Sequence, residues 1–88
     1  MQASMILVRT EAEANDVIAK LNAGNDFVAL AKEFSIDAVT APKGGDLGEF
    51  YPGDWSPEIE GAIAGLKVNQ VSKPVKTKVG FHVFKRTK

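Results

Sequence analysis

The sequence predicts an α+β domain in which helices pack on an antiparallel sheet. Two patterns indicate this class. The run at residues 5–8 is apolar and rich in branched side chains, which is typical of a buried strand, and two helical patterns follow it before residue 35. Near the end of the chain, two extended segments are separated by residues 78–80, which predicts a hairpin. At 88 residues, one domain is expected, spanning 1–88.

Local signals place the three helices. Thr10 followed by Glu13 has the spacing of a capping box, and Gly24 is a plausible residue for the end of that first helix. Asn25 or Asp26 is expected to cap a second helix, whose inner face is Phe27, Leu30, Ala31 and Phe34. A third helix is predicted over about 57–64, with Ser56 at its N-cap and Pro57 at its first position.

The remaining segments are predicted to be strands and loops. Residues 35–43 show no period and are expected to form an irregular loop, followed by a brief strand at 47–50. Residues 71–77 read as extended, and Pro74 marks them as an edge strand or its entry, because proline lacks the N–H that a central strand needs. Residues 81–86 alternate in polarity and are predicted to be the last strand.

Composition argues against several classes of function. The formal net charge is zero, which gives no electrostatic reason to expect nucleic acid or a membrane surface. No apolar run approaches the roughly 20 residues of a membrane span, and no signal peptide is predicted. The absence of cysteine excludes a disulfide and a thiolate metal site, and a single histidine, His82, argues against a histidine-based metal site.

The stretch from Gly44 to Ile59 is the expected contact region. Its glycines permit backbone angles that other residues resist, and Pro52-Gly53-Asp54 is expected to form a tight turn. Trp55 lies between this turn and the cap of the third helix, and is predicted to be largely exposed. A patch of aromatic and aliphatic side chains with a polar rim is therefore expected, formed by Tyr51, Trp55 and Ile59 with Glu49, Asp54 and Ser56.

Several motifs together resemble a known family. They are ASMILV at 3–8, FVALA at 27–31, FSID at 34–37, GGDLGEF at 44–50, VSKPVKT at 71–77 and GFHV at 80–83. In this combination and spacing, they are similar to the parvulin-type peptidyl-prolyl cis/trans isomerases, the PpiC-like group of bacterial folding factors. The resemblance covers nearly the whole chain. It implies a four-stranded antiparallel sheet surrounded by helices, a shallow cleft for a proline-containing peptide, and no cofactor.

The resemblance also implies roles for individual residues. His82 and Thr77 on the final hairpin, and Asp37, match catalytic positions. Leu47 matches the pocket wall and Phe50 the position beneath it. The three catalytic positions also have plainer interpretations. His82 can be an ordinary buried histidine, Thr77 a strand residue with good β-propensity, and Asp37 the cap of a turn.

Four positions depart from the family pattern. Members usually carry histidine where this chain has Met5. They usually carry methionine at the position of Trp55 and phenylalanine at those of Ile59 and Ile63. Three of these departures, Met5, Trp55 and Ile59, are expected to line one cleft, so both its polar and its apolar halves are altered. Trp55 and Met5 can also be interpreted as ordinary core residues.

Two functions follow from these observations. The first is a monomeric protein-binding module on the isomerase scaffold, whose cleft has been repacked, naturally or by engineering, to hold a protein partner through Met5, Leu47, Phe50, Tyr51, Asp54, Trp55, Ser56 and Ile59. Its isomerase activity is then weak or lost. The alternative is an active isomerase that acts on X-Pro bonds of unfolded or extracytoplasmic client proteins. Histidine at position 5 and methionine at position 55 would favour the enzyme.

Overall fold

The computed structural model describes residues 1–51 and 53–88 and contains four strands and three α-helices. In chain order these are β1 (Gln2–Val8), α1 (Glu11–Asn22), α2 (Phe27–Phe34), β2 (Asp46–Glu49), α3 (Pro57–Ala64), β3 (Val75–Thr77) and β4 (Gly80–Arg86). A 3₁₀ turn at Ala41–Lys43 precedes β2. The predicted helices and the final hairpin are therefore present. Pro52, in the predicted turn before α3, lies outside the described residues.

The strands form one antiparallel sheet in the order β2-β1-β4-β3. This confirms the predicted α+β class and the four-stranded sheet. β1 begins three residues earlier than predicted, because Gln2 to Ser4 pair with β2. β3 is shorter than the extended segment predicted at 71–77, in which Val71 makes only an isolated bridge to Lys85. β3 is an edge strand, as Pro74 predicts.

The side chains of the N-cap residues explain where α1 and α2 begin. Thr10 Oγ1 accepts a hydrogen bond from the Glu13 N–H at 3.2 Å, and Asp26 Oδ2 accepts one from the Ala29 N–H at 3.2 Å. Each satisfies a backbone donor that the first turn of a helix leaves without a partner. Gly24, just after α1, has a φ of +100°, which favours glycine.

The core lies on both faces of the sheet, because successive strand residues point to opposite sides. One face packs against α1 and α2 through Ile6, Val8, Ala14, Val17, Phe27, Leu30, Ala31 and Val83. The other face packs against α3 and the segments beside it through Ala3, Met5, Phe50, Ile63, Leu66 and Phe84. His82 lies on this second face, since Leu7 pairs with His82 and Met5 with Phe84 in the β1–β4 register. In the described residues, no helix is long and apolar enough to cross a bilayer.

Candidate functional site

A cavity of about 540 Å³ opens between the start of α3 and the turn that joins β3 to β4. Its walls are Trp55, Ser56, Pro57, Glu58, Ile59, Thr77, Lys78, Val79 and His82. Five of these residues were predicted from the sequence: Trp55, Ser56, Ile59, Thr77 and His82. The other four adjoin them in α3 or in the hairpin turn, and a predicted turn beside His82 was the only signal that could have indicated Lys78 and Val79.

The polar wall of the cavity is formed by Thr77 and His82, and Met5, which does not line the cavity, contacts His82. Thr77 Oγ1 lies 2.7 Å from His82 Nε2, and His82 Nδ1 lies 3.2 Å from Met5 Sδ. Thr77 and His82 face each other across the β3–β4 hairpin, and Met5 reaches the ring from the neighbouring strand β1. Met5 and His82 therefore lie on adjacent strands, with their side chains on the same face of the sheet.

The His82 ring is held in a dry environment. The residue is 4% exposed, and its ring stacks on that of Phe84 with 5.4 Å between centroids and 5° between planes. Burial lowers the pKa of His82 from its ordinary value of 6.5, and the negative charge of Asp37 opposes this shift in part. A pKa below 6.5 leaves the imidazole predominantly neutral at pH 7.

Asp37 acts on the site through its charge, and it also caps a turn. Its carboxylate accepts hydrogen bonds from the Thr40 N–H, at 3.1 Å, and from the Thr40 hydroxyl. Asp37 does not line the cavity. Asp37 therefore caps the turn in the loop after α2, as its plainer interpretation predicts, and its charge reaches His82 although it is not part of the cavity wall.

The apolar wall is formed by Trp55, Ile59 and Val79. Trp55 is 36% exposed, which is less exposure than the sequence predicted. The reason is that its indole packs edge-on against the buried Phe50 ring, with 6.4 Å between centroids and 87° between planes. Phe50 thus lies behind Trp55, and Trp55 in turn lines the cavity.

Glu60 holds the segment that carries Trp55, and sequence analysis missed this role. Its Oε2 accepts hydrogen bonds from the Gly53 N–H at 2.8 Å and from the Trp55 N–H at 3.0 Å. Ser56 Oγ accepts from the Ile59 N–H at 3.5 Å and caps α3. The usable signal was an acidic residue in the first turn of a helix, where free backbone N–H groups favour a negative charge.

Five predicted contact residues do not line the cavity, which corrects the sequence analysis: Met5, Leu47, Phe50, Tyr51 and Asp54. Leu47 was expected at the pocket wall, but β2 is the far edge of the sheet, so Leu47 packs against the core cluster that contains Met5. Tyr51 is 66% exposed and does not line the cavity. The Asp54 side chain contacts the backbone of Tyr51, where its Oδ2 accepts a hydrogen bond from the Tyr51 N–H at 2.8 Å.

The described residues do not support a metal site. No group of three or more histidine, cysteine, aspartate or glutamate side chains in that part of the chain is arranged to hold a metal ion. What the cavity offers is an apolar wall opposite a neutral histidine and a hydroxyl. This arrangement suits the binding of a small apolar ring next to a polar amide.

Comparison with known proteins identifies the family. The family model "Rotamase: PPIC-type PPIASE domain" matches residues 7–88. The chain is 52% identical over 85 residues to the foldase protein PrsA of Caldanaerobacter subterraneus subsp. tengcongensis, covering 97% of this chain and 28% of that protein. The chain thus spans less than a third of the length of this relative.

Solved structures agree in fold. The crystal structure of the peptidylprolyl isomerase PrsA from Bacillus cereus superposes with a TM-score of 0.96 and 46% identity, covering 100% of this chain and 34% of that one. The solution structure of NmPin, the parvulin of Nitrosopumilus maritimus, superposes with a TM-score of 0.91 and 41% identity, covering 100% of this chain and 95% of that one. This chain therefore belongs to the PpiC-type peptidyl-prolyl isomerase family, the parvulins.

Proposed function

We propose that the chain is a monomeric, single-domain prolyl cis/trans isomerase that acts on X-Pro bonds in unfolded or extracytoplasmic client proteins. The observation that carries the proposal is the cavity, in which the apolar side chains of Trp55, Ile59 and Val79 share one space with the Thr77–His82 pair. The foldase named among its relatives supports the same activity. The extent of NmPin, which this chain nearly matches from end to end, supports a single domain over residues 1–88.

The reaction is a rotation about the X-Pro amide bond, with no bond broken. The barrier to this rotation is about 18–20 kcal/mol, so the unaided reaction takes tens to hundreds of seconds. To accelerate it, a site must bind the twisted amide more tightly than either planar form. No cofactor is needed for this chemistry.

The two walls suit the two requirements of that reaction. Trp55, Ile59 and Val79 would hold the prolyl ring and keep water away from it. Thr77 and His82 would face the amide, where their fixed dipoles act in a dry site and lose little energy to reorientation as the amide twists. Asp37 would contribute through its charge on His82.

The test is an isomerisation assay on a short Xaa-Pro peptide, comparing the unmodified chain with Thr77→Val and Ile59→Ala. Thr77→Val removes the hydroxyl and keeps the shape of the side chain, so a lower kcat/KM would show that the polar wall takes part. Val39→Ala, at an exposed residue of the loop after α2, is the control and should leave the rate unchanged. A chain with no activity above the uncatalysed rate would refute the proposal.

The departures at Met5, Trp55 and Ile59 predict a slow enzyme. We expect activity at least about tenfold below that of an ordinary family member, which corresponds to about 1.4 kcal/mol of transition-state stabilisation. The triple change Met5→His, Trp55→Met and Ile59→Phe should restore the rate. If the unmodified chain already matches such a member, the altered residues do not limit catalysis.

One observation favours a second function, a protein-binding module with weak or lost isomerase activity. Tyr51 and Trp55 expose aromatic surface within one short segment, and such residues are common in the energetic centres of protein interfaces. A direct binding measurement beside the isomerisation assay separates the two functions. A binding module without catalysis would bind a proline peptide without accelerating its isomerisation. That the cleft was altered by engineering stays a hypothesis, since the family match bears only on the scaffold.

A further inference from the structure

We propose that Met5 is a positioning residue that sets the direction of the hydrogen bonds from Met5 through His82 to Thr77, so that the Thr77 hydroxyl presents an acceptor to the cavity. The inference deepens the proposed function and rests on it for its relevance to catalysis. The geometry itself can be tested without any substrate.

The Met5 sulfur can only accept a hydrogen bond. A thioether sulfur has no hydrogen to donate and acts only as a weak acceptor. Met5 Sδ lies 3.2 Å from His82 Nδ1. A hydrogen bond at this contact therefore requires the proton to be on Nδ1.

The position of this proton fixes the role of the other ring nitrogen. The ring carries one N–H, so a proton on Nδ1 leaves Nε2 as an acceptor. Nε2 lies 2.7 Å from Thr77 Oγ1. In this tautomer, the Thr77 hydroxyl must be the donor in that hydrogen bond.

A second contact occupies one lone pair of the Thr77 hydroxyl. The Val79 N–H lies 3.4 Å from Thr77 Oγ1 and donates to it. The hydroxyl oxygen thus accepts from Val79 while its hydrogen points to His82. A hydroxyl oxygen has two lone pairs, so one remains. Since Thr77 lines the cavity, this lone pair can be presented to a ligand.

The surroundings of the His82 ring favour the neutral form, which this hydrogen-bond direction requires. His82 is buried and stacked on Phe84, and the effect of this burial outweighs the opposing negative charge of Asp37. A histidine at position 5, expected from the family pattern, could donate or accept a hydrogen bond. It would therefore allow the hydrogen bonds between position 5, His82 and Thr77 to run in either direction. Methionine at this position removes that choice.

The test is nuclear magnetic resonance of the ¹⁵N-labelled protein, using long-range ¹H–¹⁵N correlations of the imidazole. His82 is the single histidine, so no assignment ambiguity arises. At a pH well above 6.5, the ordinary histidine pKa, Nδ1 should resonate as the protonated nitrogen and Nε2 as the unprotonated one. The opposite pattern in the unmodified chain would overturn the proposal directly.

Met5→Leu then tests whether the sulfur is the cause. Leucine keeps an apolar side chain of similar size but offers no acceptor, so the tautomer ratio should move toward Nε2–H by about fivefold, the effect expected for loss of one neutral hydrogen bond. Ile63→Val is the matched control, because it trims the same buried cluster without removing an acceptor from the ring, and it should leave the ratio unchanged. An unchanged ratio in Met5→Leu, or an equal change in both variants, would show that Met5 does not set the direction.

The result is independent of catalysis. A chain with the expected tautomer but no isomerase activity would retain the inference and refute the proposed function. An active chain with His82 in the Nε2–H form would overturn the inference about Met5 and support the proposed function.

Discussion

The indole of Trp55 meets the ring of Phe50 edge-on, with 6.4 Å between ring centroids and 87° between ring planes. Phe50 is buried, so this contact ties the cavity wall to the core. Trp55 is therefore both a structural residue and a candidate ligand contact. The two roles can be separated by their different effects on unfolding and on binding.

Trp55→Ala should lower the free energy of unfolding by about 1–2 kcal/mol, because it removes an edge-to-face pair and part of a covered side chain. A fully buried tryptophan would cost about 3–5 kcal/mol. The measurement is chemical denaturation followed by circular dichroism, since this change removes the only tryptophan. Trp55→Phe should recover most of the loss. A cost in the range of a buried tryptophan would show that residue 55 belongs to the core.

Stability should fall as the pH is lowered below about 6.5, because His82 has a pKa below its ordinary value in the folded state. Between the pKa of His82 in the folded state and its ordinary value of 6.5, the unfolded chain binds more protons than the folded chain, so acidification favours unfolding. The decline should end once the pH is below the folded pKa. Denaturation midpoints measured between pH 8 and about 5, above the range of ordinary carboxylates, will show it.

His82→Gln is the control for this pH dependence. His82 is the only histidine, so the slope in this range should disappear in the variant whatever its overall stability. A slope that persists in His82→Gln would assign the effect to another group.

Gly45→Ala should destabilise the protein by roughly 2–5 kcal/mol, from about 1–2 kcal/mol of backbone strain and about 1–3 kcal/mol of overpacking. Gly45 has a φ of +84°, and a Cβ there would lie within 2.3 Å of the Met5 carbonyl oxygen, which belongs to the rigid strand β1. Gly45 O also accepts a hydrogen bond from the Met5 N–H at 2.8 Å, so the substitution disturbs the backbone of β1 at Met5.

Gly48→Ala is the matched comparison. Gly48 has a similar φ of +73°, but nothing lies within 4 Å of its added Cβ. Only the backbone strain of about 1–2 kcal/mol should remain. Equal losses in the two variants, measured by denaturant unfolding, would mean that strain alone accounts for Gly45.

Glu60→Ala should release the segment at 53–55 while costing only about 1 kcal/mol of stability. The variant removes the carboxylate that accepts from the Gly53 and Trp55 N–H groups. Fluorescence of the single tryptophan should then shift to longer wavelength as the indole becomes more exposed to water.

Two variants control the Glu60 experiment. Glu60→Gln keeps a side-chain oxygen that can accept, so it should retain most of the original spectrum. Glu33→Ala, at an exposed position of α2, should retain all of it. If Glu60→Ala leaves the emission unchanged, the edge contact with Phe50 is sufficient to hold Trp55.

The sequence by itself determined what depends on neighbours along the chain. Thr10, Asp26 and Ser56 cap helices because each needs only a backbone N–H three residues away. The class of fold and the final hairpin followed from periodicity and turn residues, and the family from its spaced motifs. Five of the residues that line the cavity could be predicted in this way.

Tertiary structure alone decided the contacts between distant segments. Met5 and His82 are 77 residues apart in the chain, and the β1–β4 register brings sulfur to the ring. Strand order placed Leu47 at the far edge, away from the wall to which the motif assigned it. Trp55 is less exposed than predicted because Phe50 lies behind it, and Glu60 turns back onto the segment before α3. Such contacts depend on register and packing, which no local pattern encodes.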